Sequence, residues 1–131
     1  MIPILDCILD IDEPEDIDDF VMHLEACIHT EGDKGADCFS FRMITPKRLE
    51  KLVMETGPML LRALFIVNGS TMQENVNYVT KEINKLLPGC ARNTWEETAL
   101  AINYYLNWEY YDPKIGICDF YRNSRALEKS L

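Results

Sequence analysis

Residues 20–45 dictate most of what this chain can become. In FVMHLEACIH, Phe20, Met22, Leu24, Ala26 and Ile28 fall on one side of an extended strand, and Val21, His23, Glu25, Cys27 and His29 on the other. In DCFSFRMIT the alternation returns, with Phe39, Phe41 and Met43 set against Cys38, Ser40, Arg42 and Ile44. The connection between the two runs, TEGDKGA at 30–36, holds two glycines. Two period-two runs around a glycine-containing loop predict a β-hairpin with one apolar, aromatic face. Apolar surface left in water is costly, so other parts of the chain must cover that face.

The helical periodicities that follow are the candidates. Upstream, residues 2–11 (IPILDCILDI) suit a first strand, at an edge because Pro3 has no N–H to donate. Downstream, Thr45-Pro46 supplies an N-cap and a first-turn proline, and Leu49, Leu52 and Val53 form a short stripe ending at Gly57-Pro58. Residues 59–67 (MLLRALFIV) read as a buried central strand, although a run this short also suits a helix. A turn at Asn68-Gly69-Ser70 leads to the capping box Thr71-x-x-Glu74, and Val76, Val79, Ile83 and Leu86 line one helical face before Pro88-Gly89. A second box, Thr94 to Glu97, opens a helix whose stripe is Trp95, Ala99, Ile102 and Leu106. Beyond Asn107, Trp108, Tyr110 and Tyr111 end that helix or begin a strand. Ile115, Ile117 and Phe120 suit a short strand, and the polar 122–131 is expected to fray. The order predicts an α+β fold: a mainly antiparallel sheet of about four to five strands packed against two to three helices. The 131 residues fit a single domain.

Charge is the second constraint. The net charge is −9, but residues 1–33 alone carry −11 and the remainder +2. Asp10, Asp12, Glu13, Glu15, Asp16, Asp18 and Asp19 crowd into ten positions, with Glu25 shortly after. Such a block disfavours nucleic acid and attracts cationic protein surfaces. Asp10-x-Asp12 begins like a calcium loop, but Pro14 and Glu15 stand where a further ligand and the turn glycine are needed, so no metal is expected. No apolar run reaches the roughly 18–20 residues of a membrane helix, and the acidic, non-basic start is unlike a secretory signal. The five scattered cysteines contain no C-x-x-C pair and suit a reduced, cytoplasmic protein. Cys27 and Cys38 face each other in one hairpin register, which the sequence alone leaves open.

Motifs for chemistry are sparse. No phosphate loop, dinucleotide fingerprint, nucleophile elbow or H-E-x-x-H is present, so no cofactor is expected. The one catalytic constellation that can be drawn is His23, Cys27 and His29 on the hairpin's polar face, a cysteine- or metal-dependent hydrolase in outline. Alternate residues of a strand lie about 7 Å apart, too far for a nucleophile–base hydrogen bond. Glu96 and Glu97 are explained by the helix N-terminus they occupy. Tyr104, Tyr105, Trp108, Tyr110 and Tyr111 suit either the core or an interface, including one between copies of the chain in a homo-oligomeric scaffold.

Several elements occur in a telling order: an Asp-Asp start at 16–20, a Phe-rich strand running into Thr45-Pro46-Lys47-x-Leu49, the apolar 61–67, then Thr94-Trp95-Glu96-Glu97 and Trp108-Glu109-Tyr110-Tyr111. Over residues 16–112 the chain resembles the immunity protein 8 family of bacterial polymorphic toxin systems, which include contact-dependent growth inhibition. That resemblance implies a small non-enzymatic cytoplasmic protein that binds and neutralises one cognate toxin domain. It brings no catalytic residues. A basic toxin, such as a nuclease with a phosphate-holding cleft, would meet its complement in Asp10, Asp12, Glu13, Glu15, Asp16, Asp18, Asp19 and Glu25.

Overall fold

The computed structural model describes residues 2–32 and 35–118. Phe120, the far end of the short strand expected from Ile115, and the fraying expected of 122–131 fall outside the described residues, as do Asp33 and Lys34 of the hairpin loop.

The hairpin forms with the predicted faces. Strands β2 (Val21–Thr30) and β3 (Asp37–Ile44) pair antiparallel, setting Met22 opposite Met43, Leu24 opposite Phe41 and Ala26 opposite Phe39. Leu24, Ala26, Ile28, Phe39, Phe41 and Met43 are each at most 1% exposed. Burying a large side chain this fully is worth about 1.5–3 kcal/mol, so this face is the energetic centre of the fold. Strand β1 (Pro3–Leu9) adds to the far side of β2 as an edge. A register shift between Leu5 and Cys7 lets Leu5 and Ile8, three residues apart, both pack on the core.

The other side of β3 is shared. Strand β5 (Asn107–Trp108) pairs antiparallel with Phe39 and Ser40, and β4 (Leu64–Ile66) pairs parallel with Arg42, Met43 and Ile44. The result is a mostly antiparallel five-stranded sheet. This sharing corrects the reading of 59–67 as a buried central strand. With β5 holding the first half of β3, only three residues of that run find strand partners. Ala63 takes a left-handed φ of 56°, which ends any extension upstream. Arg62 turns to donate to the Asn103 carbonyl and the Asn107 side chain. Leu60 is left 99% exposed.

Helix α1 (Pro46–Thr56) starts at Thr45, whose hydroxyl accepts from Arg48 N (3.4 Å), and ends at Gly57 with φ 79°. It fully buries none of its residues: Val53 and Met54 are exposed. Covering the sheet falls instead to α2 (Met72–Leu86), the 3-10 turn Leu87–Cys90 and α3 (Trp95–Asn103). Their Val79, Ile83, Leu87, Cys90, Ala99 and Ile102, with Leu106 just beyond, join the hairpin in one cluster. Both capping boxes form. Thr71 Oγ1 accepts from Glu74 N (3.2 Å) and Thr94 Oγ1 from Glu97 N (3.1 Å), while the Glu74 carboxylate reaches back to Ser70 N (2.9 Å). A two-stranded ladder, β6 (Tyr111–Asp112) with β7 (Gly116–Ile117), closes the described chain.

The turn before α2 brings side chains close to position 69. Gly69 N donates to Asn75 Oδ1 (2.8 Å), and a Cβ there would stand 2.5 Å from that oxygen and 3.0 Å from Glu74 Cβ. Asn75 is itself 2% exposed, and moving its amide would break that hydrogen bond. Gly69→Ala should therefore destabilise by about 1–3 kcal/mol in urea denaturation; a shift below about 0.5 kcal/mol would mean that the turn relaxes freely.

Candidate functional site

The acidic segment becomes the connection between β1 and β2. Asp10 leaves β1 with φ 68°, a left-handed conformation that aspartate adopts more readily than most residues. Local hydrogen bonds then shape the loop: Asp12 Oδ1 accepts from Glu13 N (2.8 Å), Asp16 Oδ1 from Asp18 N (2.9 Å), and Asp16 O from Asp19 N (3.1 Å). Its far end is tied down. Ile17 packs on the core, Phe20 is buried, and the Phe20 and Thr45 backbones bond each other while Thr45 Oγ1 accepts from Phe20 N (3.0 Å). Asp10, Asp12, Glu13, Glu15, Asp16 and Asp18 all stay exposed.

Asp19 and Glu25 behave differently. The Asp19 side chain is only 8% exposed and binds α1 through Arg48 Nε (2.6 Å) and Lys51. Hydrogen bonds from Lys51 and then Arg48 hold its carboxyl below the ordinary value of 3.8. A carboxyl with a lowered folded value stabilises the fold above its unfolded value, and that contribution is lost as pH falls through the folded one. Asp19→Asn should thus lower stability at pH 7 and flatten the acid limb of a stability-against-pH curve below about pH 4. An unchanged acid limb would show that Asp19 is not the linked group. Glu25 lies on the outward face of β2, half-buried, opposite Leu9 and so beside the start of the acidic connection. The 30–36 loop begins at the opposite end of β2, about 30 Å away for a ten-residue strand.

The outward face of the sheet carries the rest of the polar candidates in ordered rows. Leu9, Glu25, Ser40 and Asn107 form one row, Cys7, Cys27 and Cys38 the next, and His23, Arg42 and Leu64 another. The pairing thereby settles the Cys27–Cys38 register. It does not bring Cys27 to a histidine base. Burial pushes the Cys27 thiol up, the opposite of what an activated nucleophile needs. His29 Nδ1 lies 3.0 Å from the Thr30 carbonyl, and His23 is exposed. Among the described residues no group of histidine, cysteine and carboxylate side chains could hold a metal ion. Nor is any described helix long and apolar enough to cross a membrane.

One buried carboxyl escaped the sequence reading. Asp37 opens β3 on the inward, apolar face and is 7% exposed. Its Oδ2 accepts from Trp95 Nε1 (2.7 Å) and Trp108 Nε1 (3.0 Å). Phe39, two residues on, stands edge-on to Trp95 (6.2 Å) and stacks on its β5 partner Trp108 (6.4 Å). The signal was legible: a carboxyl in phase with Phe39 and Phe41 must find donors, and the two indoles are the donors that reach it. Trp95 and Trp108 of the two Trp-Glu motifs are thus bolts of the fold. Glu109 joins them, bonding Cys38 through both its backbone and its carboxylate. The aromatic group divides. Trp108 is buried, Tyr110 and Tyr111 pack partly on the core, and Tyr104 and Tyr105 remain 76% and 49% exposed, Tyr104 beside a groove of about 660 Å³ that is also lined by Leu60, Arg62 and Leu100.

No curated protein and no solved structure matches the chain. The description "immunity protein 8" belongs to a family model that matches residues 3–112, farther upstream than residue 16 where the motif resemblance began. It therefore takes in β1 and the whole acidic connection, and it ends with β6. With most of its length matched, the chain belongs to the immunity protein 8 family.

Proposed function

We propose that this immunity protein neutralises a cognate toxin domain by direct binding, and that it meets the toxin with the acidic connection between β1 and β2. The observation that carries the proposal is the display of six exposed carboxylates, Asp10, Asp12, Glu13, Glu15, Asp16 and Asp18, on one short connection anchored at both ends. Glu25 extends the charge onto the adjoining sheet face. Asp19 is a positioning residue: it holds the end of the segment against α1.

The partner is a positively charged domain, most naturally a nuclease. Such an enzyme gathers lysine and arginine to hold phosphate, and a rigid array of carboxylates competes for the same cations while speeding encounter. The setting is a polymorphic toxin system of the contact-dependent type, and the place of action is the cytoplasm, where a nuclease finds its substrate. Catalysis by the immunity protein plays no part, because blocking needs shape and charge alone.

The test is co-expression with the C-terminal domain encoded by the adjoining upstream reading frame. Restored growth and a co-purifying one-to-one complex are the expected results. Growth arrest in the presence of well-folded protein would sink the proposal.

A further inference from the structure

The thiol row on the outward sheet face serves no role in toxin binding as proposed above, yet its geometry is specific. Cys7, Cys27 and Cys38 occupy paired positions on three adjacent strands. All three are free thiols. Directly paired residues of adjacent antiparallel strands have Cα atoms about 4.5–5.5 Å apart, inside the range of about 4.4–6.8 Å that a disulfide spans. The two possible partners of Cys27 are not equivalent. Cys7 lies exposed on the edge strand, whereas Cys38 is half-buried. The Cys38 backbone N–H donates to the Glu109 carboxylate and its carbonyl accepts from Glu109 N (3.0 Å).

We propose that Cys7 and Cys27 are an oxidation site, forming a cross-strand disulfide when the protein meets a peroxide. The exposed Cys7 thiolate attacks the peroxide, taking one oxygen as a sulfenic acid and releasing hydroxide, which takes up the proton the thiol lost. The Cys27 sulfur then attacks the Cys7 sulfur. The S–S bond forms, the S–O bond breaks, and the leaving hydroxide carries off the Cys27 proton as water. Two thiols are oxidised and one peroxide is reduced to two waters.

Cys38 is kept out of this reaction by its surroundings. Burial, then a hydrogen bond to Glu109, push its thiol up to about 12, so it is held in the unreactive protonated form. Burial likewise protects Cys27 from the oxidant itself, leaving it to react only with a neighbour already activated. The bridge has a consequence for the chain between its ends. It closes residues 7–27 into a ring that contains the whole acidic connection, and it pins edge strand β1 to β2. A closed ring has fewer open conformations to visit than a free connection.

The experiment treats purified, reduced protein with hydrogen peroxide and then counts thiols in denaturant. Three of the five thiols should remain titratable, with full recovery after reductant. Peptide mapping of the wild-type product should join Cys7 to Cys27. Cys38→Ala should still lose two thiols, and Cys7→Ser should lose none. A bridge mapped to Cys27 and Cys38, a bridge between copies through Cys7, or irreversible oxidation of Cys7 with Cys27 still reduced would each overturn the proposal. Because the wild-type map decides among these products, a poorly folded variant does not blunt the test.

Discussion

Trp108→Ala is expected to be the most damaging single substitution in this protein. Trp108 is 1% exposed, stacks on Phe39, and stands edge-on to Tyr110 at 5.9 Å. Removing it leaves a cavity between β3 and α3 and takes one of two indole donors from the buried Asp37 carboxyl. Truncating a buried tryptophan costs roughly 3–5 kcal/mol, and leaving a buried acceptor short of a donor adds about 1–3 kcal/mol. The melting temperature should fall by on the order of 10–20 °C. Trp95→Phe separates the two contributions, because it keeps a buried aromatic ring and removes mainly the N–H. Its cost should be about 1–3 kcal/mol, and in an Asp37→Asn background the two changes should not add, since both act on one cluster. A loss below about 1.5 kcal/mol for Trp108→Ala would mean that the sheet closes over the gap and that the Asp37 cluster is not a keystone.

Reversing Asp12, Glu13, Asp16 and Asp18 together to lysine should weaken the toxin complex by about 10²–10³-fold. The four side chains are exposed, and the change moves the local charge by eight units on the one segment that faces a cationic partner in the proposed complex. Most of the loss should appear in the association rate, and its dependence on salt should flatten, because electrostatic steering is what the reversal abolishes. The neutral set Asp12→Asn, Glu13→Gln, Asp16→Asn and Asp18→Asn should fall between. It keeps the side-chain oxygens that Glu13 N and Asp18 N use, so the loop keeps its shape while losing charge. Denaturation midpoints of both sets should stay close to that of the parent, since exposed loop substitutions rarely move stability by more than about 0.5 kcal/mol each. Protection against the toxin that survives the lysine set would remove the acidic connection from the interface, while leaving membership of the family untouched.

The residues that could be read in advance are those whose neighbours in space are neighbours in sequence. Thr45, Thr71 and Thr94 cap their helices through atoms three residues away, and each does so as its local motif demanded. The alternation of Leu24, Ala26 and Ile28 against Phe39, Phe41 and Met43 named the core face without any knowledge of what covers it. The misreadings share one cause. MLLRALFIV looks like a central strand because its composition suits one, but strand status depends on a free neighbour, and β5 already holds half of β3. The stripe on α1 looked like a packing face, yet the sheet is covered by α2 and α3, Leu49 and Leu52 are only half-buried, and Val53 is left 43% exposed.

From the sequence alone came the hairpin, its buried face, the capped helices and the concentration of negative charge before β2, because each of these is a short-range pattern read against a fixed helical or strand period. Only the tertiary structure decided that Asp37 sits between two indoles, that Asp19 belongs to α1 and not to the free acidic surface, and that three cysteines distant in the chain stand side by side. These depend on strand register and on which segment wins a shared edge. Both are settled by long-range pairing, whose competing solutions leave no periodic trace in the sequence.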